Sequence, residues 1–271
     1  MTNDLIAIVD HRCSLSIQKQ LLNYVGEVYP FRSEGITYES ISSHPDIFLY
    51  QDEQHLIVAP NAPQELFDLL NRNNISHKIG HSVIGALLSD SCFYNCVSTT
   101  DAFFHKEGFT DPMVQSLNQE KRFIALPQSY TRCSMLPLSD HAIITSDAGI
   151  HKVLQRERFS SFLFSPDEIR IAIHRNGFLG GTCGISNGKI FFLGNPLRHK
   201  DGRGLCQFIE SAGLEIIALS DEKLYDGGGI FFLRRSQITD VDKMAEKASL
   251  ACFMMYPKRA VQHFATEHDS Y

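Results

Sequence analysis

His44–Gly80 reads HPDIFLYQDEQHLIVAPNAPQELFDLLNRNNISHKIG. A short apolar strand meets a polar turn at 51–54, and a second strand, HLIVA, stops at Pro60-Asn61. A helical stripe of Leu66, Phe67, Leu69 and Leu70 follows, with Gln64, Glu65 and Asp68 on its polar face. A last strand is expected over 75–79. The unit is strand–strand–helix–strand.

The same order recurs at 95–128, 133–166 and 181–220. In the last copy Asn187-Gly188 is a two-residue hairpin turn signal, and Gly213 stands where a helix from about 204 to 211 should end. The N-terminus supplies an incomplete unit: strand LIAIVD, a helix over 14–24 and strand GEVYPF. Its missing first strand is GGGIFFL, from Gly227 to Leu233. The two ends of the chain then complete a fifth unit and close a ring. An open doubly wound sheet carries one strand per helix, whereas a hairpin precedes each helix here. The expected fold is therefore an α/β propeller of five modules around a pseudo-fivefold axis, spanning 1–235. Residues 236–271 form a tail outside the repeat, read as an amphipathic helix and a surface for homodimer contact or a lid.

Composition narrows the class. The chain has 271 residues, 43% of them apolar, and a net charge of −6, so it lacks the basic face that a nucleic-acid partner needs. No segment approaches the ~20 apolar residues of a membrane helix. The seven cysteines are scattered and odd in number, which suits reduced thiols and a cytoplasmic setting. Cys92 and Cys96 have no second Cys/His pair at matching distance, so cysteine spacing points to no structural metal, and no cofactor motif is present.

Five such modules resemble the penteins, the guanidino-group-modifying superfamily of deiminases, dimethylarginine hydrolases, amidinotransferases and non-enzymatic ribosome-binding members. His44-Pro45-Asp46 is similar to the H-x-D of the enzymes, and DGGGIFF at 226–232 to the glycine run before the agmatine deiminase nucleophile. The resemblance implies a proton-transferring His44 and a guanidinium-holding Asp46. Where those enzymes place cysteine, however, this chain has Phe231, Phe232 and Leu233.

Cleaving a guanidinium C–N bond needs a thiolate, carboxylates for the cation and an acid/base group. Aligning the modules by their hairpin turns groups Asp46, Cys96, Cys133, Cys183 and Gly227–Gly229 as inner positions. Cys183 is the preferred nucleophile because GGTCG leaves space around the sulfur, with Cys13 as the alternative. Asp46 and Asp226 are expected to grip the cation, with Asp101 converging on them. Asp10 and Asp147 sit where a second strand ends, as further ligand contacts or as helix N-caps. Arg12 would take a substrate carboxylate or form an ion pair. Gly227, Gly228 and Gly229 let the closing strand approach the crowded axis and leave a hollow. Three functions follow: an axial pocket for a small polar or cationic ligand, a guanidino-modifying hydrolase or amidinotransferase, and a protein-interaction scaffold.

Overall fold

The computed structural model describes residues 4–235. The helix and dimer contact expected in 236–271 lie outside the described residues. Five sheets of three strands each carry the fold. The first contains β1 (Leu5–Asp10) and β2 (Glu27–Phe31), linked by α1 (Leu15–Leu21). The second follows one helical turn, α2 (Pro45–Phe48), with β3 (Leu49–Gln51), β4 (Leu56–Val58), α3 (Gln64–Arg72) and β5 (Lys78–Ile79). The third has β6 (Val97–Ser98), β7 (Ala102–His105), α4 (Pro112–Leu117) and β8 (Arg122–Ala125). The fourth has α5 (Thr131–Ser134), β9 (Met135–Pro137), β10 (Ala142–Thr145), α6 (Ala148–Arg156) and β11 (Ser160–Leu163). The fifth has β12 (Cys183–Ser186), β13 (Lys189–Phe192), α7 (Gly202–Ser211) and β14 (Glu215–Ala218). A last strand, β15 (Phe231–Arg234), returns to the first sheet.

In every sheet the middle strand pairs antiparallel with one neighbour and parallel with the other. The closing strand pairs with β1 from Leu5↔Arg234 to Ile8↔Phe231, joining the two ends of the chain in one sheet. Short two- to six-residue strands suffice because each sheet buries its apolar face under a helix. Leu66, Leu69 and Leu70 of α3 pack in one cluster with Ile57 of β4, and Leu205 and Ile209 of α7 with Ile190 and Phe192 of β13. Asn187 and Gly188 both adopt positive φ, 50° and 72°, as the hairpin signal requires, and Gly213 has φ 83° beyond α7.

Inner segments differ from the expectation of plain strands. Asp46 and Cys133 lie on helical turns, α2 and α5, and Gly180–Thr182 forms a 3-10 turn before β12. The carbonyls of Phe48, Ser134 and Thr182 accept the equivalent amides of Ala59, Ser146 and Leu193, which sets the register between modules. By that register Cys133 matches Gly181, and Cys183 lies two residues farther along. Cys183 is then level with Leu49 and Met135, not with Asp46 or Cys133, because Phe48, Ser134 and Thr182 are the equivalent residues.

Asp147 caps α6, its Oδ1 accepting Ile150 N at 2.8 Å. Asp147→Ala should cost about 1 kcal/mol, the usual value of an N-cap, read as a shifted urea midpoint at unchanged slope. An unchanged midpoint would show that the cap contributes nothing to stability.

Candidate functional site

The inner ends of the modules converge on His44. Its backbone is extended (φ −78°, ψ 116°) at the start of α2, with Pro45 setting the first helical residue. The side chain is 1% exposed and reaches between two carboxylates. Nε2 lies 3.7 Å from Asp10 Oδ2, and Nδ1 lies 3.9 Å from Asp226 Oδ1. Neither ring nitrogen has a hydrogen-bond partner among the described residues, and neither does Asp46 Oδ1.

Asp46 Oδ2 accepts from Cys133 Sγ at 2.7 Å. Asn95 holds this pair: its Nδ2 donates to Cys133 Sγ (3.3 Å) and to the Asp46 carbonyl (3.2 Å), and its Oδ1 accepts Cys133 N (3.1 Å). Asp226 is fixed by Phe178 N (2.8 Å) and Gly228 N (3.1 Å). Asp10 is saturated by the chain's own guanidinium: Arg12 Nε reaches both carboxylate oxygens at 3.0 Å and Nη2 reaches Oδ2 at 2.7 Å. Tyr225 OH adds a bond of 3.1 Å to Asp10.

Electrostatics follow from burial. It drives His44 down to about 4, so the imidazole is neutral at pH 7. It pushes the Asp46 carboxyl up to about 6, against the pull of the Cys133 hydrogen bond and the Arg132 charge. Asp226 rises to about 7 by burial, opposed by the Phe178 amide and reinforced by the Asp46 charge. The Cys133 thiol is pushed well above its ordinary value, first by burial and then by Asp46.

The segment 165–179 lies against this cluster. Its Phe178 amide holds Asp226, the Arg170 carbonyl accepts Asp226 N, and His174 Nε2 pairs with Ser40 Oγ at 2.8 Å. At the hairpin end of the ring a separate cavity of about 480 Å³ is lined by Cys96, Arg132, Phe231 and the turn residues Asp52, Glu53 and Asp140. Arg132 donates to the Gly180 and Cys183 carbonyls (2.6 and 3.1 Å) and stacks 5.6 Å from the Phe231 ring centre.

The structure thus brings together His44, Asp46, Asp226 and Asp10, four of the residues singled out in the sequence. It does not add Cys183, which is fully buried in a hydrophobic cluster with its thiol raised to about 12 by burial. Nor does it add Cys13, packed among apolar residues beside β1 with its pKa raised by burial and by Asp10. Asp101 stands exposed at the β6–β7 turn, and Asp147 is committed to its cap. Arg12 is half-buried on Asp10 and on the carbonyls of Glu39 and Ser40, so a substrate carboxylate would have to displace internal bonds.

The space around Cys183 also has another use. A Cβ on Gly181 would lie 1.9 Å from Asp226 Oδ1, and one on Gly180 would lie 2.2 Å from the Arg132 carbonyl. Those glycines admit neighbours and do not expose the thiol. Sequence reasoning passed over Asn95, Arg132 and Tyr225, which carry no motif, and ranked Cys133 below Cys183. The one available signal was the inner position of Cys133.

No curated protein matches the sequence. Among solved structures, the chain is similar to C. jejuni agmatine deiminase, with TM-score 0.56 and 9% identity over 87% of this chain and 94% of that one. Its C315S form with substrate bound gives TM-score 0.55 at 8% identity, over 87% and 94%. An amidinotransferase from Microseira wollei gives TM-score 0.49 at 11% identity, over 89% and 98%. The agmatine deiminase likeness establishes the pentein fold. A family model described as "Family of unknown function (DUF6873)" matches residues 8–231, a span that runs from β1 into β15. The chain is therefore a member of the DUF6873 family, built on the pentein fold.

Proposed function

We propose that the protein binds a small cation of the guanidinium or amidinium class between Asp46, Asp226 and His44. The observation that carries this reading is that both His44 nitrogens and Asp46 Oδ1 are buried without a hydrogen-bond partner among the described residues. Leaving a buried polar atom unpaired costs about 1–3 kcal/mol. A planar cation supplies N–H donors to Asp46 and Asp226 and offsets the charge that their burial penalises. The neutral imidazole next to it accepts a further N–H. Fold-level analogy agrees, since a ring of this fold holds a substrate in the C315S agmatine deiminase. Access requires displacement of 165–179, whose ties to the cluster are His174 Nε2 to Ser40 Oγ, Phe178 N to Asp226 and Asp226 N to the Arg170 carbonyl.

A second reading is favoured by Cys133. Its sulfur, the Asp46 carboxylate and a His44 nitrogen lie within 4.8 Å of one another, the grouping that covalent guanidine chemistry needs. The raised thiol pKa keeps the sulfur protonated in the free protein. A bound cation that neutralises Asp46 removes part of that penalty, and the thiol proton can pass to the neutral His44. In this reading Cys133, not Cys183, adds to the guanidinium carbon while the C–N bond to the departing amine breaks, and His44 passes the thiol proton to that amine.

The test is a calorimetric titration with agmatine, arginine and acetamidine, followed by labelling with chloroacetamidine and peptide mass spectrometry. In the labelling step the thiolate displaces chloride. The binding reading expects saturable heat whose fitted affinity Asp46→Asn lowers at least about tenfold, the weight of one charge-assisted hydrogen bond. The covalent reading further expects a single adduct on Cys133 that agmatine protects. Absence of binding by all three cations removes both readings and leaves the interaction scaffold.

A further inference from the structure

We infer that His44, Asp46 and Cys133 form a site for one divalent metal ion of the zinc class. Their donor atoms, an imidazole nitrogen, a carboxylate oxygen and a thiol sulfur, all lie within 4.8 Å of one another. Tetrahedral zinc with bonds of about 2.0–2.3 Å places its ligands roughly 3.5 Å apart, so modest side-chain shifts close the site. All three side chains are buried, and the atoms that a metal would engage are left over: Asp46 Oδ1 and both His44 nitrogens have no partner among the described residues.

The donor set selects the metal. Calcium and magnesium take oxygen ligands, and sulfur-rich sites suit copper(I) and iron–sulfur clusters, whereas one sulfur, one nitrogen and one oxygen suit zinc or cobalt(II). Charge agrees as well. A dication balances one thiolate and one carboxylate, the pair that without metal is a thiol donating to a carboxylate at 2.7 Å. Binding therefore displaces the Cys133 proton to solvent.

Outer support is present whichever His44 nitrogen ligates. If Nδ1 binds, Nε2 faces Asp10 Oδ2 at 3.7 Å, and if Nε2 binds, Nδ1 faces Asp226 Oδ1 at 3.9 Å. A carboxylate behind the ligating imidazole orients the ring and raises its basicity. Asn95 plays the matching part for the sulfur, donating to it at 3.3 Å. Three protein donors leave one coordination position for water or a ligand. This inference goes beyond the organic-cation reading: both occupants need Asp46, so a bound metal excludes an amidinium.

The experiment is a cobalt(II) titration of the full chain after chelator treatment, followed by zinc competition. The expected result is one equivalent bound per chain, with a near-ultraviolet thiolate-to-cobalt charge-transfer band that zinc abolishes. Cys133→Ser should eliminate the band, and His44→Gln should weaken binding about 100-fold or more, at or above the loss from outer-shell changes. Cys183→Ser and Cys13→Ser should keep the band, and circular dichroism checks that each variant folds. The wild-type spectrum decides even if Cys133→Ser does not fold: no band, or no stoichiometric uptake, overturns the site. A band that survives in folded Cys133→Ser also overturns it. Agmatine binding by metal-free protein is scored separately, so this inference can fail while the cation reading stands.

Discussion

Gly228→Ala should destabilise the protein by about 2–5 kcal/mol. Two effects add. Gly228 has φ 70°, a left-handed conformation that costs an alanine about 1–2 kcal/mol. The new Cβ would also lie 2.5 Å from His44 Cβ, 2.7 Å from His44 Cα and 2.7 Å from Asp46 Oδ1. Two of those atoms are the Cα and Cβ of His44, the residue that caps α2, and they cannot swing aside as a side-chain tip can. Overpacking of this kind costs about 1–3 kcal/mol. Gly108→Ala isolates the first effect, because Gly108 has φ 80° with nothing within 4 Å of its Cβ position. Urea unfolding should show Gly228→Ala as the more destabilised of the two by at least about 1 kcal/mol. Equal losses would mean that the closing strand does not pack against His44 as described.

Asp111→Ala should be comparably damaging, at about 3–5 kcal/mol, because this buried carboxylate anchors two segments at once. Oδ1 caps α4 by accepting Met113 N (2.9 Å) and Val114 N (3.4 Å). Oδ2 accepts His81 N (2.8 Å), Ser82 N (2.6 Å) and Tyr94 OH (3.2 Å). Burial alone would raise the carboxyl pKa, but the donors from Ser82, His81 and Met113 prevail and hold it below its ordinary value. A carboxyl with a lowered folded pKa stabilises above its unfolded value of about 3.9, and that stability is lost as pH falls through the folded value. The gap between wild type and Asp111→Asn should therefore narrow below about pH 4.

His105 acts in an earlier window. It is buried between Thr110 and the Ser129 carbonyl, and burial lowers it to about 4. The unfolded chain takes up that proton near pH 6.5 and the folded chain does not, so stability falls as pH drops from about 6.5 to 4. Stability curves against pH for wild type, Asp111→Asn and His105→Gln separate the two windows. A gap for Asp111→Asn that stays constant through pH 3 would contradict the anchoring role.

Modules, their order and the ring closure were legible because they rest on local chemistry. Alternation of apolar residues, Asn187-Gly188, Gly213 and the stripe of Leu66, Leu69 and Leu70 each act within a few residues, and the repeat of 30–40 residues multiplies the signal. Asp147 was legible as a cap for the same reason, whereas Asn61, in the equivalent place, pairs with the Ile84 backbone and His105 with Thr110 and Ser129.

The candidate site was half legible. His44 and Asp46 came from the resemblance of HPD to the H-x-D of the pentein enzymes, and Asp226 from its place before the glycines. The sequence groups Cys183 with Cys133 as inner positions, whereas the pairing of Ser146 with Ser134 and of Leu193 with Thr182 puts Cys183 two residues beyond the equivalent of Cys133.

The amino-acid sequence by itself determined five modules and a ring closed by Gly227–Leu233, since periodicity and turn residues are short-range properties. Only the tertiary structure decided that Cys133, 87 residues from Asp46 in the chain, meets it at 2.7 Å. It also decided that Arg12 fills the Asp10 carboxylate and that Gly181 makes room for Asp226. Those outcomes depend on how far each strand slides along its neighbour before the shared core is filled. That balance is struck across the whole ring and leaves no trace in any one module.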